Sequence, residues 1–472
     1  MKGLWSLLLG VVLVSSAPMA YAKQMAVMAP LVVGDPHDLT TAASREAWSQ
    51  FRDDLRAAKA RGFDSVSVDV WWGLVESRAS GNFDWTYYDK MASVLREEGL
   101  DWIAILSTHA CGGNVGDNCN IPLPEWVWRK AENLSYVSES GANSRDVVAH
   151  FADDVVMDDY KLFWGAFKNR YLNVVAPVDA KGRVLELHLS LGASGELHYP
   201  AYHAHDAGHP EAAYPERGLF QGLGPRANDE FRAQLKTNYG NSIDALNTAW
   251  GRHLRSFDEV SIETEVVGLS DKLKAKAYAR PGALRDLLSW YNDSLVNHME
   301  RMVRGAVQTF GTQKVIAVKV PGIHWNASRS AELMNGLLDP REEAVTWNSV
   351  ERGLGYAKIF AELQSLQREI PGLKLRAYIT AAATADAQVP FSRAETLVRA
   401  FAHLSGQSGV SLGIENALAG DVYSENSLRI LEGHLGASRA ESVTLLRLED
   451  VLRSPLMTDA RCHRLLMKLA EP

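Results

Sequence analysis

The sequence predicts an α/β fold, and within that class a (β/α)8 barrel of the TIM type with long loops over its C-terminal face. Three observations lead to this prediction. Eight short apolar, β-rich runs recur along the chain, amphipathic helical segments lie between them, and polar residues stand at the ends of most runs. Strands that alternate with helices form parallel sheets, and barrels of this kind carry their chemistry at the C-terminal strand ends.

The predicted strands are short and apolar, as strands of a parallel sheet with both faces covered should be. They are residues 25–33, 65–70, 102–107, 185–191, 315–320, 373–379, 409–414 and 443–446. Helical periodicity is found between them, at residues 44–61, 87–98, 356–369, 393–406 and 425–435. Eight strands alternating with helices predict a closed parallel barrel.

The spacing of the strands is uneven, because two long insertions follow the third and the fourth strand. Insertions at these points lie over the barrel mouth, and the segment 198–226, rich in Pro, Gly and His, is typical of loops that shape a cleft. The sequence contains no internal repeat and no separate C-terminal module. We therefore expect residues 23–472 to form a single catalytic domain.

Composition and charge restrict the partners of this chain. Its 472 residues are 46% hydrophobic and carry a formal net charge of -8, with a pI near 6.0. Nucleic-acid binding needs a clustered basic surface, and no Lys/Arg run of that kind occurs. We expect a neutral or weakly charged substrate, no nucleic-acid partner, and a monomer.

The first 22 residues have the features of a signal peptide. Lys2 precedes an apolar stretch at residues 4–14, and Ala20-Tyr21-Ala22 forms an A-x-A-like cleavage site. The alternative is an N-terminal membrane anchor, but the apolar stretch is too short to cross a bilayer. We therefore expect a secreted or periplasmic protein without a membrane anchor after cleavage.

Three cysteines occur, Cys111, Cys119 and Cys462. In an oxidising compartment Cys111 and Cys119 could close a short loop as a disulfide, which would leave Cys462 as a free thiol. A zinc site is the competing interpretation, but no third and fourth ligand stand at zinc-site spacing.

Polar residues follow the predicted strands at seven of the eight ends. A single carboxylate there is more often a helix cap or a salt-bridge partner. Glu196 and Glu415, however, end strands that we expect to face each other across the mouth, and glycosidic cleavage requires such a pair of carboxyl groups. The residues at these ends are Asp69, His109, Asp117, Glu196, Lys319, His324, Thr380, Glu415, Asn416 and Arg447.

The glycine-rich stretch 111–120 has two interpretations on its own sequence. It contains three glycines and could form a mobile lid that excludes water from the site, or a plain surface loop. The string GGNVG within it is not a dinucleotide-binding motif, because the G-x-G-x-x-G register and a following helix are missing.

Several long motifs resemble those of β-amylases, in the order in which that family carries them. They are VDVWWG at 68–73, HACGGNVGD at 109–117 followed by IPLPEWVW, SGELHYPAY at 194–202, KVPGIHW at 319–325, IENAL at 414–418 and LLRLED at 445–450. Together they span nearly the whole chain after residue 22. The resemblance implies a (β/α)8 barrel that releases β-maltose, with inversion, from the non-reducing ends of α-1,4-glucans.

The resemblance also implies roles for individual residues. Glu196 matches the general acid of the family and Glu415 its general base, and residues 109–118 match its mobile lid. The positions that match substrate-binding residues are Asp69, His109, Asp117, Lys319, His324, Thr380, Asn416, Ala417 and Arg447.

The chain also departs from the family pattern. Ala381-Ala382-Ala383 stands where the family carries a Cys-Leu-Glu-Met-like inner loop, so a carboxylate that contacts substrate is absent. Ser194 replaces the usual alanine. The starch-binding module of some members is missing, and of the calcium ligands of some bacterial members only Glu76 is matched clearly. We therefore predict no metal and no cofactor.

Two alternative functions follow from these departures and from the fold. One is a different barrel glycosidase, such as a retaining β-galactosidase-like enzyme with carboxylates on the fourth and seventh strands. The other is a weakly active or inactive glucan-binding homologue, which the altered inner loop would favour.

Overall fold

The computed structural model describes residues 23–112, 118–173, 181–200, 220–275, 277–322, 355–388 and 391–471. Its centre is a closed barrel of eight parallel strands that pair in chain order, the eighth with the first. The strands are β1 Gln24–Met28, β2 Ser65–Trp71, β3 Asp101–Ser107, β4 Val184–Leu189, β5 Val315–Val320, β6 Lys374–Ile379, β7 Ser411–Glu415 and β8 Ser442–Leu445. The predicted fold class and all eight strands are confirmed.

The largest difference between a predicted and an observed strand boundary is at the end of β1. The first strand ends at Met28 and not at residue 33. Pro30 explains the early end, because proline has no N–H to donate to a neighbouring strand and restricts the backbone of the residue before it.

Helices follow the strands and cover the barrel. Several begin at a residue whose hydroxyl accepts a backbone N–H of the first turn, as Thr41 and Ser424 do. The α-helices are α1 Ala42–Ala60, α2 Trp72–Val75, α3 Thr86–Glu98, α4 Asp153–Phe167, α5 Pro225–Asn238, α6 Ile243–Trp250, α7 Ile262–Glu265, α8 Leu269–Lys274, α9 Ala283–Phe310, α10 Tyr356–Glu369, α11 Ala394–Ser408, α12 Glu425–Ser438, α13 Leu448–Arg453 and α14 Asp459–Ala470. In the part of the chain that the structure describes, none of these helices combines the length and apolar character needed to cross a bilayer.

The two long insertions carry their own secondary structure. The first contains a short antiparallel pair, Tyr136–Val137 with Asn143–Ser144, and leads into α4. The second contributes α5 to α9. A second short pair, Asp386–Gln388 with Phe391–Arg393, lies between β6 and α11.

The barrel interior contains a buried polar network below its mouth. The Glu186 carboxylate forms an ion pair with Arg376 and accepts hydrogen bonds from Tyr378 Oη at 3.1 Å and, at 3.2 Å, from His188 Nε2. Burial alone would raise the pKa of Glu186, but the Arg376 guanidinium and the hydrogen bond from His188 hold it below its ordinary value. Gly413 makes room for the Tyr378 ring, since a Cβ atom there would lie 2.5 Å from ring carbons.

Candidate active site

The predicted general base lies at the end of β7, where Lys319 holds it. Lys319 is the fifth residue of β5, and its Nζ donates to both carboxylate oxygens of Glu415, at 3.0 and 2.9 Å. Both side chains are largely buried, with 7% and 6% of their surface exposed. Charge-assisted hydrogen bonds to both oxygens fix the plane of the carboxylate.

The predicted general acid lies beside the same lysine. Glu196 follows a 3₁₀ turn, Ala193–Gly195, after β4, and its backbone pairs in parallel with Lys319. The N–H of Leu197 donates to Lys319 O at 2.9 Å. Lys319 therefore contacts residues 193–197, called the acid segment, through its backbone and the predicted base through its side chain.

The turn before Glu196 uses two residues in the left-handed region. Ser194 has φ +59° and Gly195 has φ +77°. Gly195 is also tightly packed, because a Cβ there would lie 3.0 Å from Cε1 of His109. The left-handed region favours glycine, so Ser194 adopts a conformation that serine rarely shows.

The residues after Glu196 anchor the acid segment to the insertions. His198 Nδ1 lies 2.5 Å from the carbonyl oxygen of Tyr199, so this nitrogen carries the hydrogen and Nε2 is the nitrogen 3.5 Å from Glu196 Oε2. The Tyr199 ring stacks on Tyr291 at a centroid distance of 3.7 Å, and its hydroxyl donates to Tyr291 O at 2.7 Å. This buried ring stacking and its hydrogen bond hold the backbone after Glu196 in one position.

Asp69 and His109 lie at the ends of β2 and β3, as predicted. Ser107 Oγ donates to Asp69 Oδ1 at 2.9 Å, and His109 Nδ1 lies 2.8 Å from Ser190 Oγ. The His109 ring meets Trp71 edge to face at 5.2 Å. His109 packs against Gly195 as well, which brings this side chain next to the acid segment.

Some of the other predicted substrate contacts already form hydrogen bonds within the protein. Asn416 accepts the N–H of Leu446 at 2.8 Å and donates to Leu418 O at 2.6 Å, so its amide ties the loop after β7 to the end of β8. Arg447 donates to Ala29 O at 3.2 Å. Thr380 and Ala417, at the ends of β6 and β7, are half-buried.

The altered inner loop is packed into the protein. Ala381, Ala382 and Ala383 are buried, and the N–H of Ala382 donates to the carbonyl oxygen of Glu415 at 3.0 Å. The alanines therefore support the backbone of the predicted base but offer no polar side chain to a substrate.

Two predicted contacts, Asp117 and His324, and residues 113–117 of the predicted lid lie outside the described residues. So do residues 1–22, the predicted signal peptide. Cys111 and Cys119, at either side of 113–117, are joined in a disulfide with their Cα atoms 5.7 Å apart. Cys462 is a free, buried thiol.

The carboxylate of Glu76 is buried and held by protein donors. It accepts a hydrogen bond from Trp72 Nε1 at 2.6 Å and another from the N–H of Gly81. The neighbouring Asp159 forms an ion pair with Lys130. Burial raises the pKa of Glu76. Within the described ranges, no group of three or more His, Cys, Asp or Glu side chains is arranged to hold a metal ion.

Sequence reasoning missed the polar network below Glu415. Burial lowers the pKa of His188, so its ring is neutral, and both Lys319 and Glu415 act on it electrostatically. The signal was present in the strands: Glu186 and His188 stand two residues apart in β4, as Arg376 and Tyr378 do in β6. Alternate residues of a strand share a face, so both pairs point into the barrel.

Removing the ammonium group beside the predicted base should impair the site. We expect Lys319→Met to lower kcat about 100-fold, because Glu415 loses both hydrogen bonds that orient it and small misplacements carry penalties of this size. Steady-state kinetics measure the change, with Lys358→Met as the matched control, since Lys358 of α10 pairs with Asp293 of α9. If Lys319→Met retained more than half of the wild-type kcat, Glu415 would be oriented without Lys319.

Comparisons with known proteins identify the family of this chain. The profile of glycosyl hydrolase family 14 matches residues 27–458. A β-amylase of Niallia circulans is 30% identical over 453 residues, which cover 93% of this chain and 69% of that one. The crystal structure of the catalytic domain of a β-amylase from Paenibacillus polymyxa superposes with a TM-score of 0.76 at 28% identity, covering 95% of this chain and 99% of that one.

A β-galactosidase from Halorubrum lacusprofundi has a TM-score of 0.55 at 14% identity, over 95% of this chain and 58% of that one. At that identity the likeness shows a shared fold alone. The family match covers most of the chain and all the strands except the first residues of β1. The chain therefore belongs to glycosyl hydrolase family 14.

Proposed function

We propose that this chain hydrolyses α-1,4-glucosidic bonds of starch-like glucans and maltooligosaccharides from their non-reducing ends, releasing β-maltose with inversion. The observation that carries the proposal is that Lys319 contacts both glutamates, Glu415 at the end of β7 through its ammonium group and Glu196 after β4 through its backbone. Membership of family 14 and the likeness to named β-amylases support the same reaction.

In this mechanism the two carboxyl groups have opposite protonation states. Glu196 is protonated and donates to the glycosidic oxygen as the bond to C1 breaks. Glu415 is ionised and takes a proton from the water that attacks C1 from the opposite face. Lys319 Nζ orients the Glu415 carboxylate through hydrogen bonds to both of its oxygens, and His198 Nε2 lies 3.5 Å from Glu196 Oε2.

Release of a disaccharide requires recognition of a chain end. Asp69 and His109, held by Ser107 and Ser190, are the described residues that we assign to the terminal glucose units. Carboxylates bind sugar hydroxyls through charge-assisted hydrogen bonds. The alanines at 381–383, in the loop after β6, offer no polar side chain to a substrate. We therefore assign substrate binding to the ends of the other strands.

The stereochemistry of the first product tests the mechanism as a whole. If Glu415 activates water opposite the leaving group, maltose must be released in the β configuration from an α-linked glucan. Proton NMR of the anomeric region, recorded during the first minutes of maltopentaose digestion, reports the configuration before mutarotation. Appearance of α-maltose or of glucose as the first product would contradict the proposal.

The same experiment separates the alternatives. A retaining glycosidase would release the α anomer from this substrate. A glucan-binding homologue without activity would bind maltopentaose and leave it intact. Residues 1–22 lead us to propose export as well, which the mass of the mature protein in an extracellular or periplasmic fraction would test.

A further inference from the structure

A second cavity lies away from the strand ends, between helices α4 and α9. Its volume is about 490 Å³, within the range of small-molecule sites, and none of the residues assigned to catalysis lines it. Gly305 of α9 faces Met157 of α4 here, since a Cβ on Gly305 would lie 2.9 Å from Met157 Sδ. The lining side chains that the argument uses are Phe151, Asp153, Glu230, Arg301, Arg304 and Gln308.

The charges around this cavity compensate one another. Asp153 pairs with Arg301 at 2.7 Å and with His298 at 2.8 Å, and Arg304 pairs with Glu300 at 2.7 Å. Opposite charges in contact leave little net field to attract an ion, but they present strong donors and acceptors side by side. Such a lining suits a neutral ligand that carries many hydroxyl groups.

A chain of hydrogen bonds orients one of these acceptors. Tyr136 Oη lies 2.5 Å from His150 Nδ1, His150 Nε2 lies 2.7 Å from Ser294 Oγ, and Ser294 Oγ donates to Glu230. Because Ser294 gives its only hydrogen to Glu230, His150 must donate through Nε2 and accept from Tyr136 at Nδ1. Glu230 is thus held at the cavity wall as the terminal acceptor of this chain. Phe151 and Met157 add an apolar wall.

We propose that this cavity is a second saccharide site, which takes an α-1,4-linked pair of glucose units. Pyranose rings combine an apolar face with hydroxyl groups that both donate and accept, and the cavity is lined by Phe151 and Met157 together with carboxylates and guanidinium groups. The choice of glucose units, as opposed to another neutral sugar, rests on the proposed function. The pair comes from free maltose or from a stretch of glucan chain.

Hydrogen exchange measured by mass spectrometry tests the site without reading activity. Maltose at about ten times its Kd should slow exchange through local opening roughly tenfold in peptides from α4 and from the C-terminal half of α9. Gln308→Trp, at an exposed position on the cavity rim, should abolish this protection. Leu162→Trp adds the same ring at an exposed position of α4 outside the cavity and should keep it.

The outcomes are distinct. Protection in the wild type and in Leu162→Trp, but not in Gln308→Trp, supports the site. Equal protection in Gln308→Trp overturns it, and so does absence of protection at a maltose concentration that protects the β7 peptides. If Gln308→Trp is misfolded by circular dichroism, Asp154→Asn on the same rim replaces it, with the same expectation of weakened protection.

A second ligand identifies the source of the glucose pair. Protection by maltose alone indicates the free disaccharide, whereas protection by α-cyclodextrin as well indicates a stretch of chain. Because these readouts are local to α4 and α9, loss of the proposed hydrolysis in the product assay would leave them unchanged.

Discussion

Glu415→Gln and Glu196→Gln are each expected to lower kcat about 100- to 10,000-fold, the range that general acid–base groups contribute. Each substitution removes a proton transfer but keeps the shape of the side chain, so the affinity for substrate should change little. Single-turnover kinetics with maltopentaose, together with calorimetric binding, separate the two effects.

A surface glutamate provides the matched control for both variants. Glu425, at the start of α12, pairs with Arg461 and is 65% exposed. Glu425→Gln should leave kcat unchanged. Retention of more than a tenth of wild-type kcat by either site variant would exclude that residue from proton transfer.

Arg376→Met is expected to destabilise the protein by roughly 3–5 kcal/mol, the usual penalty for breaking a buried ion pair on one side. Arg376 lies inside the barrel, paired with Glu186 and, at 2.9 Å, with Glu441. Its removal leaves the Glu186 carboxylate buried with no cation against it. Urea unfolding at neutral pH measures the difference, and Arg56→Met, at a 59% exposed guanidinium, is the control that should leave stability almost unchanged.

The loss of stability caused by Arg376→Met should be larger at neutral pH than in acid. In the wild type the pKa of Glu186 is lower in the folded state than in the unfolded state. Its contribution to stability is therefore present above the unfolded pKa of about 4.3 and is lost as pH falls through the folded value. The two proteins should differ most near pH 7 and converge in acid. A difference that stayed constant from pH 7 to pH 3 would show that Glu186 is not the group left without its partner.

The local sequence pattern was sufficient to predict most of the barrel. Each strand is a short apolar run, so composition and flanking polar residues were enough to locate β2 to β8 and the two glutamates. The end of β1 was misplaced because the apolar run continues beyond Pro30, where the pairing of the strand stops.

The local sequence pattern could not predict which side chains on different strands pair with one another. Glu186 and Arg376 are 190 residues apart, and only the register of β4, β5 and β6 brings them together. Lys319 was identified as a substrate contact, but its bond to Glu415 depends on two strands that are not adjacent in the barrel. The cavity between α4 and α9 has a similar origin, because it is formed where two helices and parts of two insertions meet.

The position of Lys319 has a mechanical consequence for the two carboxyl groups. The acid segment is bonded to the carbonyl of this residue, and the base to its ammonium group. A displacement of the end of β5 therefore carries both groups in the same direction. We therefore expect the gap in which water must fit to vary less than the position of either carboxyl group. Thermal motion of the barrel rim should then be shared by the proposed acid and the proposed base, and their spacing should change little.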